Sequence, residues 1–227
     1  MILSNLEKIL NVNFKNKSLL RTALTHRSYL NEHPEYKGES NERLEFLGDA
    51  VLEFIASNHL FKSFPKLPEG RLTVFRSAVV STKTLARIAK NLKLGQFLRL
   101  AKGEEKGGGR NNPTLLANTV EAVIGAIFSD CGLKPAQNFV EKHILTLLPQ
   151  IIKSGAYKDS KSELQELVQE KFKVPPIYKV IKEEGPDHAK IFTVAVLIND
   201  KKLEQGKGLS KQEAEEEAAK KALEKIK

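Results

Sequence analysis

Cysteine, histidine and tryptophan are scarce in this sequence. Tryptophan is absent from the 227 residues, and cysteine occurs once, as Cys131. A single cysteine excludes an intrachain disulfide framework and favours a reducing, cytoplasmic location. The five histidines form no pair at ligand spacing, so we expect no zinc site. There is no apolar run of about eighteen residues and no signal-peptide pattern, so we expect no membrane association.

Basic residues are in excess, with 37 Lys and Arg against 28 Asp and Glu and a formal net charge of +9. This excess favours a polyanionic partner, although many proteins are basic for other reasons. The length is sufficient for two modest domains, and the residue pattern changes near residue 153. We therefore predict a multidomain fold with an all-α domain at 1–153, a linker at 154–158 and an α+β domain at 159–227.

The first domain has apolar residues at helical spacing in several segments. The predicted helices are Leu3–Leu10, Ser18–Thr25, Glu42–Leu60, Gly70–Val80, Thr82–Asn91, Leu115–Phe128 and Pro135–Ile152. The second domain reads as a helix, three strands and a helix, in the order α-β-β-β-α. Its predicted elements are Ser160–Phe172, Ile177–Lys182, Lys190–Ile198, Lys201–Gly208 and a helix that follows the N-cap residue Ser210 and ends near Ile226.

The predicted helix Glu42–Leu60 carries acids on one face. At 100° per residue, Glu42, Glu45 and Asp49 lie within a narrow arc. The apolar face opposite, which includes Phe54, is expected to be buried. Like charges at this spacing repel, and no Lys or Arg shares the arc. Acids on a helix face are usually only solvated surface, but this arrangement also suits a bound cation.

A second predicted helix, Leu115–Phe128, is apolar nearly all round and should be buried. Its strongly polar side chains are Asn118 and Glu121, which share one face. A buried carboxylate needs a partner, and packing this face against Glu45 and Asp49 would collect three carboxylates and one amide oxygen. These hard oxygen ligands suit Mg²⁺ or Mn²⁺.

Three segments resemble motifs of the ribonuclease III family. Asn41–Leu52 resembles its signature, Leu116–Phe128 resembles its second conserved block, and Ala23–Ser28 resembles a short upstream motif. The resemblance covers the whole chain and implies a homodimeric endonuclease that hydrolyses double-stranded RNA with Mg²⁺, for which Mn²⁺ can substitute, and no small-molecule cofactor. It implies products with 5′-phosphate and 3′-hydroxyl ends, from ribosomal, messenger or other structured RNA.

The resemblance also implies roles for individual residues. Asp49 and Glu121 are expected to be catalytic, and the metal ligands are expected to be Glu45, Asp49, Asn118 and Glu121. Glu42 and Glu69 would be accessory acids or, equally, ordinary surface carboxylates. Phe46 would be a dimer contact or, alternatively, a core residue.

Asn118 departs from the family pattern, which usually has Asp at this position. An amide oxygen can coordinate a cation but is neutral, so the site loses one negative charge and should hold Mg²⁺ less tightly. Asn118 is either a tolerated natural variation or an engineered substitution. The alternative function is a catalytically weakened or inactive protein that only binds double-stranded RNA.

The second domain resembles a double-stranded-RNA-binding domain in its element order and in two stretches, Gly185–His188 and Gly206–Glu215. Such domains contact 2′-hydroxyls and phosphates across two minor grooves and the major groove between them. The resemblance implies RNA contacts from Gln165, Glu166, Pro186, Asp187, His188, Lys207 and Lys211. The family often has a second Lys where this chain has Gln212, and Lys207 or Lys220 would compensate.

The segment Lys102–Pro113 contains three consecutive glycines, Gly107–Gly109, and is expected to be a flexible loop. It is not a phosphate-binding P-loop, because no Gly-Lys-Ser/Thr follows. Lys106 and Arg110 would contact the RNA backbone or belong to a plain solvated loop.

Overall fold

The computed structural model describes residues 2–155, 160–186 and 190–226 of the chain. The described residues form two compact units, one on each side of residues 156–159. The first unit is helical, and the second combines two helices with a sheet. This matches the predicted fold class.

The first unit consists of helices and short 3₁₀ turns within its described residues. The helices are α1 (Ile2–Leu10), α2 (Lys17–Ala23), α3 (Arg27–Glu32), α4 (Glu42–Ser63), α5 (Glu69–Val79), α6 (Thr82–Asn91), α7 (Lys102–Lys106), α8 (Pro113–Cys131), α9 (Leu133–His143) and α10 (Leu148–Ser154). Side-chain hydrogen bonds cap the N-termini of α6 and α8. Ser81 accepts a hydrogen bond from the Thr84 amide, and Asn112 accepts one from the Thr114 amide. Pro113 then occupies the first turn of α8, where a missing N–H costs nothing.

Helix α8 is the central element of the helical unit. Ten of its residues are buried, as the sequence predicted for a core helix. It is also the one helix in the described part of the chain whose length and apolar composition would allow it to cross a membrane, a test that buried core helices also pass.

Helices α4 and α8 cross with their main chains in contact. A Cβ atom at Gly48 would overlap the carbonyl oxygen of Glu121, and one at Gly125 would overlap the carbonyl oxygen of Leu44. Glycine at both positions therefore allows a closer approach than any other residue would. The crossing fixes the distance between the polar faces of the two helices.

The predicted helix Pro135–Ile152 is wrong as one continuous element. The structure has α9, a 3₁₀ turn at Leu145–Leu147, and α10. Pro149 lacks the N–H that would bond to the carbonyl of Leu145, so a regular α-helix cannot run through this point. The chain resumes its helix with Pro149 in the first turn of α10.

The prediction of a flexible loop at Lys102–Pro113 is also wrong. Residues 102–106 form α7, and Gly109–Asn111 form a 3₁₀ turn. Arg110 orders this segment, because its side chain donates to the carbonyls of Gly95 (2.9 Å) and Leu98 (2.8 Å) and pairs with Glu105 at 2.6 Å. Arg110 thus has a structural role, which neither of the two expectations for it, an RNA contact or a plain solvated loop, included.

The second unit follows the predicted α-β-β-β-α order, with α11 (Ser160–Phe172), β1 (Ile177–Glu184), β2 (Ile191–Ile198), β3 (Lys201–Gly208) and α12 (Lys211–Ile226). The strands form an antiparallel sheet in the order β1-β2-β3. Its core joins Leu164 and Val168 of α11, Val196 of β2 and the alanine face of α12. Gly206 of β3 lets α12 approach, because a Cβ there would overlap the main chain of α12.

Local signals set the turn and the last helix of this unit. Asn199 and Asp200 both have positive φ, 47° and 60°, as a two-residue hairpin of type I′ requires. Asn and Asp tolerate this conformation better than other non-glycine residues. Ser210 accepts a hydrogen bond from the Glu213 amide at 3.1 Å, which confirms the predicted N-cap of α12.

Candidate active site

The first half of the candidate site lies on α4. Glu45 is half-buried, whereas Glu42 and Asp49 are exposed. Burial raises the pKa of Glu45, a hydrogen bond from Asn118 acts against that rise, and the charges of Glu42 and Asp49 add to it. The structure therefore brings the α4 acids together with Asn118 of the neighbouring helix.

The second half of the site lies on α8, where Asn118 and Glu121 are half-buried. Burial raises the pKa of Glu121 to about 7, with further contributions from the negative charges of Asp49 and Glu45. In the described part of the chain, none of these three carboxylates forms an ion pair with Lys or Arg. The cluster thus has negative charge without a protein cation to balance it.

The two accessory acids lie in different surroundings. Glu42 accepts a hydrogen bond from Ser40 at 2.9 Å and pairs with Arg27 at 3.6 Å, close enough to Glu45 to influence its pKa. Glu69 is exposed at the start of α5 and accepts a hydrogen bond from Thr73 of the same helix. The structure therefore places Glu42 beside the cluster, whereas Glu69 is hydrogen-bonded within its own helix.

Sequence reasoning missed the residues that position the start of α4. The Asn41 amide donates to the carbonyl of Thr25 at 2.8 Å, and the Arg99 side chain donates to the Thr25 hydroxyl at 3.3 Å. The Arg99 guanidinium contacts two rings, with its central carbon 4.1 Å from the centroid of Tyr29 and 4.3 Å from that of Tyr36. Thr25 belongs to the Ala23–Ser28 motif, but nothing in the sequence pairs it with Arg99.

The chemistry of this cluster fits a divalent cation. Among the described residues, no three His, Cys, Asp or Glu side chains converge closely enough to enclose a metal ion. Glu45, Asp49 and Glu121 repel one another, and this repulsion contributes to the raised pKa values of Glu45 and Glu121. A cation would remove the repulsion, and the oxygen donors, three carboxylates and one amide, are those that Mg²⁺ and Mn²⁺ prefer.

Large apolar side chains form an exposed stripe on α4. Phe46 is 81% exposed, Phe54 57% and Phe61 71%, and their positions share one side of the helix. The core alternative for Phe46 is therefore wrong, and so is the predicted burial of Phe54. An exposed apolar stripe of this size is typical of a surface that binds another protein.

The residues expected to bind RNA lie on the surface of the second unit. Gln165 and Glu166 are exposed on α11, Pro186 follows β1, and Lys207 and Lys211 are exposed near the start of α12. Asp187 and His188, the other two expected contacts, lie outside the described residues. Lys211 forms an ion pair with Glu183 of β1, with 3.6 Å between its Nζ and a carboxylate oxygen.

Both units match family models. The model described as Ribonuclease-III-like matches residues 16–148, and the model described as double-stranded RNA binding motif matches residues 160–226. Together these matches cover most of the chain, and each falls within one compact unit.

Similar proteins match this chain over nearly its full length. Ribonuclease 3 of Carboxydothermus hydrogenoformans is 51% identical over 225 residues, which cover 99% of this chain and 96% of the relative. Ribonuclease 3 of Pelotomaculum thermopropionicum is 45% identical, covering 97% of this chain and 92% of the relative. The nuclease domain of ribonuclease III from Campylobacter jejuni is a solved structure with 42% identity and a TM-score of 0.59, covering 63% of this chain and 96% of that chain. That domain has structural flexibility in a region involved in dimer formation.

Proposed function

The chain belongs to the ribonuclease III family, and from this premise we propose that Glu45, Asp49, Asn118 and Glu121 form its catalytic site. The protein is an endoribonuclease that acts on double-stranded RNA. The observation that best supports this location is the electrostatic coupling of Glu121 on α8 with Asp49 and Glu45 on α4. Coupled, half-buried carboxylates with raised pKa values are typical of functional sites.

Family members are metal-dependent, and we propose that Mg²⁺ is the cofactor here and that Mn²⁺ can substitute. When bound, the ion supplies an activated water and stabilises negative charge on the attacked phosphate. The chain's own residues hold it through the carboxylates of Glu45, Asp49 and Glu121 and the amide oxygen of Asn118.

Asp49 and Glu121 are the proposed catalytic residues. Asp49 is exposed, so its carboxylate is accessible to solvent and ligands. Glu121 has a pKa of about 7, so at neutral pH it is protonated in part of the molecules and must release that proton to act as a charged ligand.

Asn118 is proposed to weaken metal binding without abolishing activity. Its amide donates to Glu45 and so favours the charged form of that ligand, but it adds no negative charge of its own. We therefore expect cleavage with a raised metal requirement. Complete loss of cleavage would favour the alternative, a protein that only binds double-stranded RNA.

The second unit is proposed to hold the duplex. Gln165 and Glu166 would contact one minor groove, and Pro186, Asp187 and His188 the next. Lys207 and Lys211 would contact phosphates, and the N-terminus of α12 would add its favourable dipole at Lys211.

We propose a homodimer in which Phe46 contacts the partner. The exposed stripe on α4 supports this, because burying large aromatic side chains stabilises an interface. The reported dimer region of the Campylobacter jejuni nuclease domain is consistent with it. Two sites related by a dyad would cut both strands and leave 5′-phosphate and 3′-hydroxyl ends.

The proposed domain limits are 1–153 for catalysis, 154–158 for the linker and 159–227 for RNA binding. The proposed role is the processing of ribosomal, messenger or other structured RNA in the cytoplasm. The single cysteine, which forms no disulfide, is consistent with this location.

The test of the site is cleavage of a labelled RNA duplex by the native chain and by Glu121→Gln. We expect the variant to lose cleavage but to keep duplex binding, because Gln preserves shape while removing a charged ligand. Glu141→Gln is the matched control: Glu141 lies on α9 and its recorded hydrogen bond is to Gln137, so cleavage should be unchanged. Undiminished cutting by Glu121→Gln would refute the proposed site.

A further inference from the structure

Lys211, the proposed phosphate contact of the second unit, is already engaged by an acid of the same unit. Its Nζ lies 3.6 Å from a carboxylate oxygen of Glu183 and 5.6 Å from the ring centroid of Phe192. The sheet register explains this meeting, because Glu183 of β1 is directly opposite Phe192 of β2, which is opposite Gly208 of β3. Lys211 follows Gly208 closely, so its side chain reaches back across Phe192 to Glu183.

Both members of the pair remain accessible to a ligand. The Lys211 side chain is 59% exposed and that of Glu183 is 41% exposed. Glu183 also precedes Pro186, another proposed RNA contact, by three residues. An RNA phosphate that binds Lys211 must therefore compete with this carboxylate.

We propose that Glu183 acts as an internal competitor of RNA phosphate at Lys211 and so lowers the affinity of the protein for duplexes. This inference rests on the proposed contact between Lys211 and RNA. In the free protein Glu183 partly neutralises Lys211, so the gain from a phosphate contact is reduced by the loss of the ion pair. Weaker binding shortens the lifetime of the complex, because affinity differences among related complexes arise mostly in dissociation. Glu183 would therefore speed the release of cleaved product.

The expected effect is moderate because exposed ion pairs are weak. Glu183→Gln should raise duplex affinity by about twofold to fivefold at low salt. The gain should shrink as salt is added, since screening weakens the pair and the phosphate contact together. The gain in affinity should also require Lys211, because Glu183 is proposed to act through that side chain.

The test measures binding of a fluorescent RNA duplex to the full chain in EDTA, which prevents cleavage. It compares the native chain, Glu183→Gln, Lys211→Gln and the double variant. Glu224→Gln is the control for removing one negative charge from the same unit. Glu224 is thirteen residues from Lys211 along α12, roughly 20 Å, and therefore beyond the Debye length of about 8–10 Å.

We expect tighter binding by Glu183→Gln alone, unchanged binding by Glu224→Gln, and little further gain when Glu183→Gln is added to Lys211→Gln. An equal gain in the Lys211→Gln background would show that Glu183 repels RNA directly, and would overturn the proposal. Unchanged or weaker binding by Glu183→Gln would also overturn it. If the native chain binds no duplex, the proposed RNA-binding function itself fails.

Discussion

Replacing Gly48 by alanine is expected to push α4 and α8 apart. The added Cβ would overlap the carbonyl oxygen of Glu121 and lie 2.6 Å from its carbonyl carbon and 2.8 Å from the Gly125 amide nitrogen. Carbon atoms in contact prefer about 3.5–4.0 Å, so the helices must separate by roughly 1 Å. All three neighbouring atoms are main chain in a buried helix, so no side chain can move aside.

The magnitude follows from two opposing effects. Overpacking a core costs about 1–3 kcal/mol, and the rigid surroundings of Gly48 favour the upper part of that range. Alanine is the better helix former by about 1 kcal/mol, which offsets part of the cost. We expect a net loss of about 1–2 kcal/mol, equivalent to a fall of roughly 2–8 °C in the melting temperature of a unit of this size.

Thermal denaturation beside Gly70→Ala tests this reasoning. Gly70 also lies in a helix, but a Cβ there meets nothing within 4 Å, so that variant should be at least as stable as the native chain. Cleavage by Gly48→Ala, measured well below its melting temperature, should fall by up to about 100-fold, because the α4 acids move relative to Glu121. If Gly48→Ala melts no lower than Gly70→Ala and cuts at the native rate, the close crossing does not control the site.

Three further predictions concern the site and the dimer. The pKa of Glu121 is raised to about 7, so the folded state keeps a proton that the unfolded chain loses as pH rises above its ordinary value near 4.5. The stability of the native chain should therefore fall as pH rises from about 4.5 to about 7. In EDTA, Glu121→Gln should have a higher melting temperature than the native chain at pH 8 but not at pH 4. A difference in melting temperature that does not depend on pH would contradict this prediction. Asn118→Asp should lower the Mg²⁺ concentration for half-maximal cleavage, and an unchanged metal titration would refute the account of Asn118. Phe46→Ala should weaken dimerisation on the order of tenfold or more in sedimentation equilibrium, and unchanged association would exclude Phe46 from the interface.

The elements that sequence reasoning predicted well depend on local signals. Thr82–Asn91 and Ser160–Phe172 agree with the structure at both ends, and Ser210 caps α12 as expected. Capping side chains, helical spacing and strand alternation act over a few residues and can be read directly. The hairpin turn at Asn199 and Asp200 is local in the same way, because it depends on two adjacent residues that tolerate positive φ.

The segment 102–113 shows where local signals fail. Three consecutive glycines predict flexibility, yet Arg110 fixes the segment through carbonyls at Gly95 and Leu98, more than ten residues away. Such contacts depend on the fold of the whole unit. Tertiary interactions therefore overrode a strong local preference, as they often do.

The candidate site was predictable in composition but not in geometry. Helical spacing alone predicts that Glu45 and Asp49 share one face of a helix and that Asn118 and Glu121 share one face of another. The family resemblance predicts that these two faces meet. The sequence does not state how closely the helices approach, which depends on Gly48 and Gly125 together. The sequence also predicted burial for Phe54, which is exposed. Phe54 lies at the border of the apolar arc of α4, and α8 covers only part of that arc.

The packing of Arg99 against Tyr29 and Tyr36 has a consequence for how the molecule responds to changes in pH. A guanidinium group stays charged throughout the range in which proteins are folded, so this support for Thr25 and the start of α4 does not depend on acidity. The Glu121 carboxyl, by contrast, changes its charge near neutrality. In the metal-free protein, mild acid therefore protonates Glu121 while the Arg99 contacts persist, and activity lost in this way should return without refolding when the pH is restored.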